Sequence, residues 1–141
     1  AVEEGKMYLR QINEAKAAIS DSEVSEKVRR LEEIIGIIIK QIEAHPEKLS
    51  EVRRLMTYYL PTTVKLLDAY REFDRQPIQG ENIVTAKKEI KDALDTINQA
   101  FGNLLNSLYE NAAWDVSADI SALRAILAQE GLTGKDFEKN E

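Results

Sequence analysis

Val24-Ser-Glu-Lys-Val28-Arg-Arg-Leu31-Glu-Glu-Ile-Ile35-Gly-Ile-Ile38-Ile-Lys-Gln-Ile42 sets Val24, Val28, Leu31, Ile35, Ile38 and Ile42 in steps of four and three. Such steps keep one apolar seam along a helix, the pattern of a bundle or short coiled coil. Ile34, Ile37 and Ile39 widen the face beyond a two-position stripe, which predicts contacts on more than one side. Gly36 inside the run costs about 1 kcal/mol relative to alanine, and close approach of a second helix is the expected reason for it. The same rhythm returns in Ile83, Lys87, Ile90, Leu94, Ile97, Phe101, Leu104 and Leu108. The expected fold is therefore all-α, a four- or five-helix bundle with long amphipathic helices.

Outward from this helix, read as residues 22–44, an N-terminal segment over 3–19 places Tyr8, Ile12, Ala15 and Ile19 on one face. A step of five at Ser20-Asp21-Ser22 breaks the rhythm, and Asp21 or Ser22 can cap a new helix by accepting an orphan backbone N–H bond. One continuous helix with a change of register is the alternative. Pro46 suits the first position of a third helix, while His45 before it is steered away from the α conformation. That helix reaches residue 75 with Pro61 in its middle, at a cost of about 3 kcal/mol in an unbent helix. Tyr59, Thr63, Leu66 and Tyr70 keep their spacing across Pro61, which favours a kink, with Thr62 or Thr63 bonding the opened turn; two helices meeting at Leu60-Pro61 is the other reading.

Residues 74–81, with Pro77 and Gly80, form the clearest connector. Asn82 or Thr85 is the expected cap of a fourth helix ending near Ala113. A last helix follows from a Ser117 cap, with Ile120, Leu123, Ile126 and Leu127 on its expected buried side, and stops at Gly131 in a left-handed turn. The expected organisation is residues 1–20 as an N-terminal helical segment, 21–132 as the bundle core and 133–141 as a flexible tail. The expected core comprises Val28, Leu31, Ile35, Ile38, Ile42, Leu55, Leu66, Leu67, Tyr70, Leu94, Ile97, Phe101, Leu104 and Leu108.

With 141 residues the chain is one domain's worth, and 43% apolar with 31% charged residues is ordinary for a globular protein. The net charge of −6 disfavours general nucleic-acid binding. Residues 23–75 hold ten acids and ten bases, whereas 76–141 hold eleven acids and six bases, so a partner of the last third is expected to be basic or neutral. Zero cysteines exclude disulfides, thiol catalysis and thiolate metal sites. No stretch approaches 18 consecutive apolar residues, so no membrane span is expected within this chain. Ala1-Val-Glu-Glu-Gly5 lacks an initiator methionine and a signal-peptide layout, and reads as the cut end of a longer or processed chain.

Hydrolysis requires a nucleophile or activated water, a base and a group that stabilises developing charge. The one histidine, His45, stands at a helix boundary and is read as a surface or capping residue. No Ser/His/Asp order or nucleophile elbow is present, and Gly131-Leu-Thr-Gly-Lys135 lacks the spacing of a phosphate-cradling loop. Asp115 and Asp119, four apart, form the candidate metal pair, although the same acids suit a helix N-terminus. Asp92 and Asp95 are read as a solvated face. The dibasic pairs Arg29-Arg30, Arg53-Arg54 and Lys87-Lys88 stand near acids at helical spacing and are read as salt-bridged surface.

The stretch Arg54-Leu-Met-Thr-Tyr-Tyr-Leu-Pro-Thr-Thr-Val-Lys-Leu-Leu-Asp-Ala-Tyr-Arg71 resembles the distinctive segment of the 5-bromo-4-chloroindolyl phosphate hydrolysis protein family, also called the XpaC family. The likeness continues through Gly80-Glu81-Asn82, Ala100-Phe101-Gly-Asn-Leu-Leu-Asn-Ser-Leu-Tyr109 and Trp114-Asp-Val-Ser-Ala-Asp-Ile-Ser-Ala-Leu-Arg124. It covers about residues 48–131, and the first 45 residues match only as helical, charged sequence. The resemblance implies a bacterial protein. It also implies a hydrophobic region ahead of the helical domain, and neighbours of the toxic-anion-resistance type. The family's description refers to an artificial phosphate ester and supplies no residue set.

The expectation is thus a helical interaction or scaffold module of a membrane-associated bacterial accessory protein. It would lie on the cytoplasmic side, tethered by a segment absent from this chain. Its partner is expected to be another protein, of the toxic-anion-resistance type or a second copy, with no nucleic acid. Tyr58 and Leu60 are the expected partner-binding residues, since helix-groove recognition uses apolar contacts at helical spacing. No catalytic or cofactor-binding residue is assigned. The rival is a phosphoric monoester hydrolase acting on indolyl phosphate, assisted by Mg2+ at Asp115 and Asp119, with Lys65 or Arg124 reaching the phosphate.

Overall fold

The structure is a computed structural model that describes residues 2–131, apart from the side chain of Asn111. Its elements are α1 (Val2–Ala17), α2 (Ser22–Ala44), a 3-10 turn (Pro46–Lys48), α3 (Leu49–Arg54), a π turn (Leu55–Tyr59), α4 (Leu60–Asp74) and α5 (Glu81–Gln129). α3, the π turn and α4 follow without interruption, so the described residues form an all-α protein of four helices. It divides into two compact units after Asn106, inside α5.

In the first unit, α1 ends as the backbone N–H groups of Ala18 and Ile19 close tight turns onto Ala15 and Lys16. Asp21 then caps α2, its Oδ1 accepting from the N–H groups of Glu23 at 2.9 Å and Val24 at 3.3 Å. Two helices therefore replace the continuous-helix alternative. α1 packs on α2 and α4. The close-approach glycine is Gly5, where an added Cβ would stand 2.7 Å from Met56 Sδ and 3.6 Å from Ile39 Cδ1. Gly36 has nothing within 4 Å of its would-be Cβ, which corrects its expected role.

The quoted seam of α2 is buried from Val24 to Ile42, with Ile39 added on its flank. Also buried are Ile12 and Ala15 of α1, Leu67 and Tyr70 of α4, and Ile90, Leu94 and Phe101 of α5. Leu66, Ile97 and Leu104 are half-buried, which corrects their expected full burial. Lys87, counted in the α5 rhythm, turns its ammonium to Asp74 at 2.8 Å instead. Gln79 closes the reversal by donating to the carbonyls of Phe73 and Gln76. The Gly80 carbonyl accepts from the Val84 N–H, so α5 begins ahead of the expected caps.

In the second unit, helix runs unbroken through residues 113–117, where a boundary was expected, and Ser117 lies inside α5. Ile120, Leu123 and Ile126, expected on a buried side, are exposed, and Leu127 is half-buried. Asp and Ser are cap formers only where the chain leaves the helix. No glycine or proline between Gly102 and Gly131 forces it to do so. Gly131 ends the run with φ +73°, its N–H donating to the Ala128 carbonyl, as expected of a left-handed stop. The expected loose tail at 133–141 lies outside the described residues.

Candidate functional site

Pro61 governs the most distinctive surface. It has no N–H to offer the preceding turn, and its ring crowds the carbonyl four residues back in a regular helix. The chain answers with one wide turn: the Leu60 N–H donates to the Leu55 carbonyl, five residues back, and Pro61 then occupies the first turn of α4. Thr57 Oγ1 donates to the Arg53 carbonyl at 2.9 Å, and Thr63 Oγ1 to the Tyr59 carbonyl at 2.7 Å. The bond expected of Thr63 thus forms, and the helix widens where a kink was expected.

The extra residue in this turn separates two faces. Leu55, Met56 and Leu60 are buried, while Arg53, Arg54, Thr57 and Tyr58 face outward. Tyr58 is 61% exposed, whereas Leu60 is fully buried, so Leu60 cannot belong to the partner surface expected of it. The Tyr58 ring meets Tyr59 edge-on at 5.4 Å, and Tyr59 meets Phe101 of α5 at 6.1 Å. The exposed ring is thereby braced by a second ring that is itself anchored on α5. A concavity of about 660 Å³ lies here, lined by Ser50, Arg53, Arg54, Thr57, Tyr58 and Tyr59.

Among the described residues of the first unit some surface cations are ion-paired and others, Arg30 and Lys88 included, are not. Arg29 pairs with Glu26 at 2.6 Å and with Glu33 at 3.5 Å, and Lys87 pairs with Asp74. The Glu26 carboxyl is held below its ordinary range chiefly by its hydrogen bond from Arg29. Among the described residues neither Arg53 nor Arg54 has an ion-pair partner, contrary to the salt-bridged reading of that pair. Two guanidinium groups, four hydroxyls and two aromatic rings suit a carboxylate or phosphate carried beside an apolar group. Arg53 and Arg54 were legible in sequence as a dibasic pair. Their lack of partners was not, because Glu51 stands within helical reach of Arg54.

The other sequence candidates do not gather here. Asp115 and Asp119 are exposed one turn apart on α5. Among the described residues no group of three or more His, Cys, Asp or Glu side chains is arranged to hold a metal ion. His45 closes α2, its N–H donating to the Gln41 carbonyl, with Nδ1 3.4 Å from Glu47 Oε1. Lys65 and Arg124 are exposed.

A second polar cluster, unforeseen from the sequence, joins the α2 cap to α4 and α5. The Tyr70 hydroxyl donates to Asp21 Oδ2 at 2.7 Å, and Lys91 Nζ lies 3.0 Å from the same oxygen. The Tyr70 hydrogen bond is the main reason the Asp21 carboxyl lies well below the usual carboxylate range; burial works against it. Burial first, and then Asp21, hold the Tyr70 phenol above its usual range. Asp21 likewise raises Lys91. Every member is committed to another, so the cluster serves as a fastening of the fold.

The model of the family described as 5-bromo-4-chloroindolyl phosphate hydrolysis protein matches residues 1–123. The match therefore takes in the N-terminal helices that the sequence resemblance left out. No curated protein and no solved structure matches the chain.

Proposed function

The chain belongs to the 5-bromo-4-chloroindolyl phosphate hydrolysis protein family, and we propose that within it this chain is a helical interaction module whose π-turn surface receives an acidic, apolar-bearing protein segment. The observation that supports this is the Arg53–Arg54 pair, without carboxylate partners among the described residues, beside the braced and exposed Tyr58. Arginine and tyrosine are the residue types that most often anchor protein interfaces. Among the described residues no helix is long and apolar enough to cross a membrane. Placement on the cytoplasmic side of a bacterial membrane, with a toxic-anion-resistance-type protein as partner, follows from the family resemblance alone.

The test is quantitative capture from native bacterial membranes with the wild-type chain, Tyr58→Ala and Arg53→Glu/Arg54→Glu. A partner retained by the wild type and lost by both variants is the expected result. Equal capture by all three would reject the π-turn surface. The second reading, a phosphoric monoester hydrolase with Mg2+ at Asp115 and Asp119, is favoured by the family's description and the four-residue spacing. Turnover of an indolyl phosphate that requires magnesium and is lost in Asp119→Ala would establish it; absence of turnover with magnesium or manganese would reject it.

A further inference from the structure

The part of α5 beyond residue 107 carries a seam of largely exposed apolar residues. Tyr109, Val116, Ile120 and Leu123 are 43%, 56%, 43% and 54% exposed, with Ala113 exposed and Leu127 half-buried along the same line. The positions 109, 113, 116, 120, 123 and 127 alternate steps of four and three, which is the a/d rhythm of a coiled coil. Ala113, Ile120 and Leu127 take the a positions, and Tyr109, Val116 and Leu123 the d positions. A β-branched residue at a followed by leucine at d, as in Ile120 and Leu123, favours two strands.

Charge selects the occupant and its direction. Asp119 precedes Ile120 at a g position, and Arg124 follows Leu123 at an e position. In a parallel pair a g residue flanks the e residue five further along the other helix, so Asp119 faces Arg124 of the second copy twice by symmetry. In an antiparallel pair g flanks g and e flanks e: Glu110 would then meet Arg124, but Asp119 would be set against Asp119 of the second copy, a repulsion that the parallel pair avoids. The neighbouring g and e residues, Ala112 and Ser117, are neutral and oppose neither arrangement. We infer that residues 109–127 form a parallel, in-register two-stranded coiled coil with a second copy of this chain. Asp119 then acts as an orientation-setting charge.

The seam spans about 27 Å at 1.5 Å per residue, fewer than three heptads, so association is concentration-dependent. Sedimentation of the whole chain across a concentration series should show its 16.0 kDa mass doubling. Leu123→Asp, at an exposed position, should remain monomeric with unchanged helix content by circular dichroism. Asp119→Arg should weaken the dimer at least tenfold, and Asp119→Arg combined with Arg124→Asp should restore it. Because the chain has no cysteine, Val116→Cys reports direction: oxidation should link two copies at this d position in a parallel dimer. A chain that stays monomeric throughout, a dimer indifferent to Leu123→Asp, or a dimer that Val116→Cys fails to link would overturn the inference.

Discussion

Two glycines in helical surroundings lead to opposite expectations for the same substitution. Gly36 sits in α2 with open space where a Cβ would go, so alanine there gains helix propensity without a clash. Gly36→Ala should stabilise the protein by about 0.5–1 kcal/mol, read as a higher urea midpoint. Gly5→Ala places its Cβ 2.7 Å from Sδ and 3.0 Å from Cε of the buried Met56. Overpacking of this kind costs about 1–3 kcal/mol, enough to outweigh the propensity gain, so its midpoint should fall. Sequence placed Gly36 within a helix correctly. It could not tell which glycine a neighbour crowds, because Met56 is 51 residues from Gly5 and its approach depends on the π turn. Burial was legible to the same depth. The α2 seam closes as its spacing requires, while Ile97 and Leu104 lie at the edge of their stripe and stay half-buried. Leu94→Ala, fully buried, should cost about 2–5 kcal/mol, and Leu104→Ala clearly less in the same denaturation series.

At the scale of the element, Pro61 announced a disturbance of the third helix, but its form was decided by packing. A kink would have left Tyr59, Thr63, Leu66 and Tyr70 in line. The π turn instead sends Leu60, Thr63, Leu67 and Tyr70 inward and leaves Tyr58 outside. An added residue in one turn has no compositional mark beyond the proline that follows it. That is why Leu60, which is buried, was grouped with the exposed Tyr58 on one expected face. Thr63 is the buried polar residue within this device, and its hydroxyl donates to the Tyr59 carbonyl. Thr63→Val keeps the shape and removes the donor, so it should cost about 0.5–1.5 kcal/mol. Amide exchange at residues 57–62 should quicken more than in α2. Uniform change across the first unit would show that the hydroxyl does not secure the turn.

At the scale of the whole molecule, helix count and apolar seams follow from local periodicity, whereas polar fastening depends on residues far apart in sequence. Asp21 was legible as a cap. Its tie to Tyr70, 49 residues on, and to Lys91 beyond that, could only be seen once the fold brought them together. This cluster fixes a pH window. The folded-state pKa of Asp21 lies below its unfolded value near about 3.9, so its contribution is present above that pH and lost as pH falls toward the folded value. Tyr70 and Lys91 are raised above unfolded values of about 10 and 10.4, so their contributions are present below those pH values and lost as pH rises through the folded ones. The cluster should therefore support the fold most between about pH 4 and pH 10. Tyr70→Phe removes a hydrogen bond to a charged oxygen and should cost about 1.5–3 kcal/mol at neutral pH. It should also reduce the fall in urea midpoint between about pH 5 and pH 3, because Asp21 then loses the chief cause of its lowered pKa. An acid limb as steep in Tyr70→Phe as in the wild type would place the acid sensitivity in other carboxylates and deny the cluster this role.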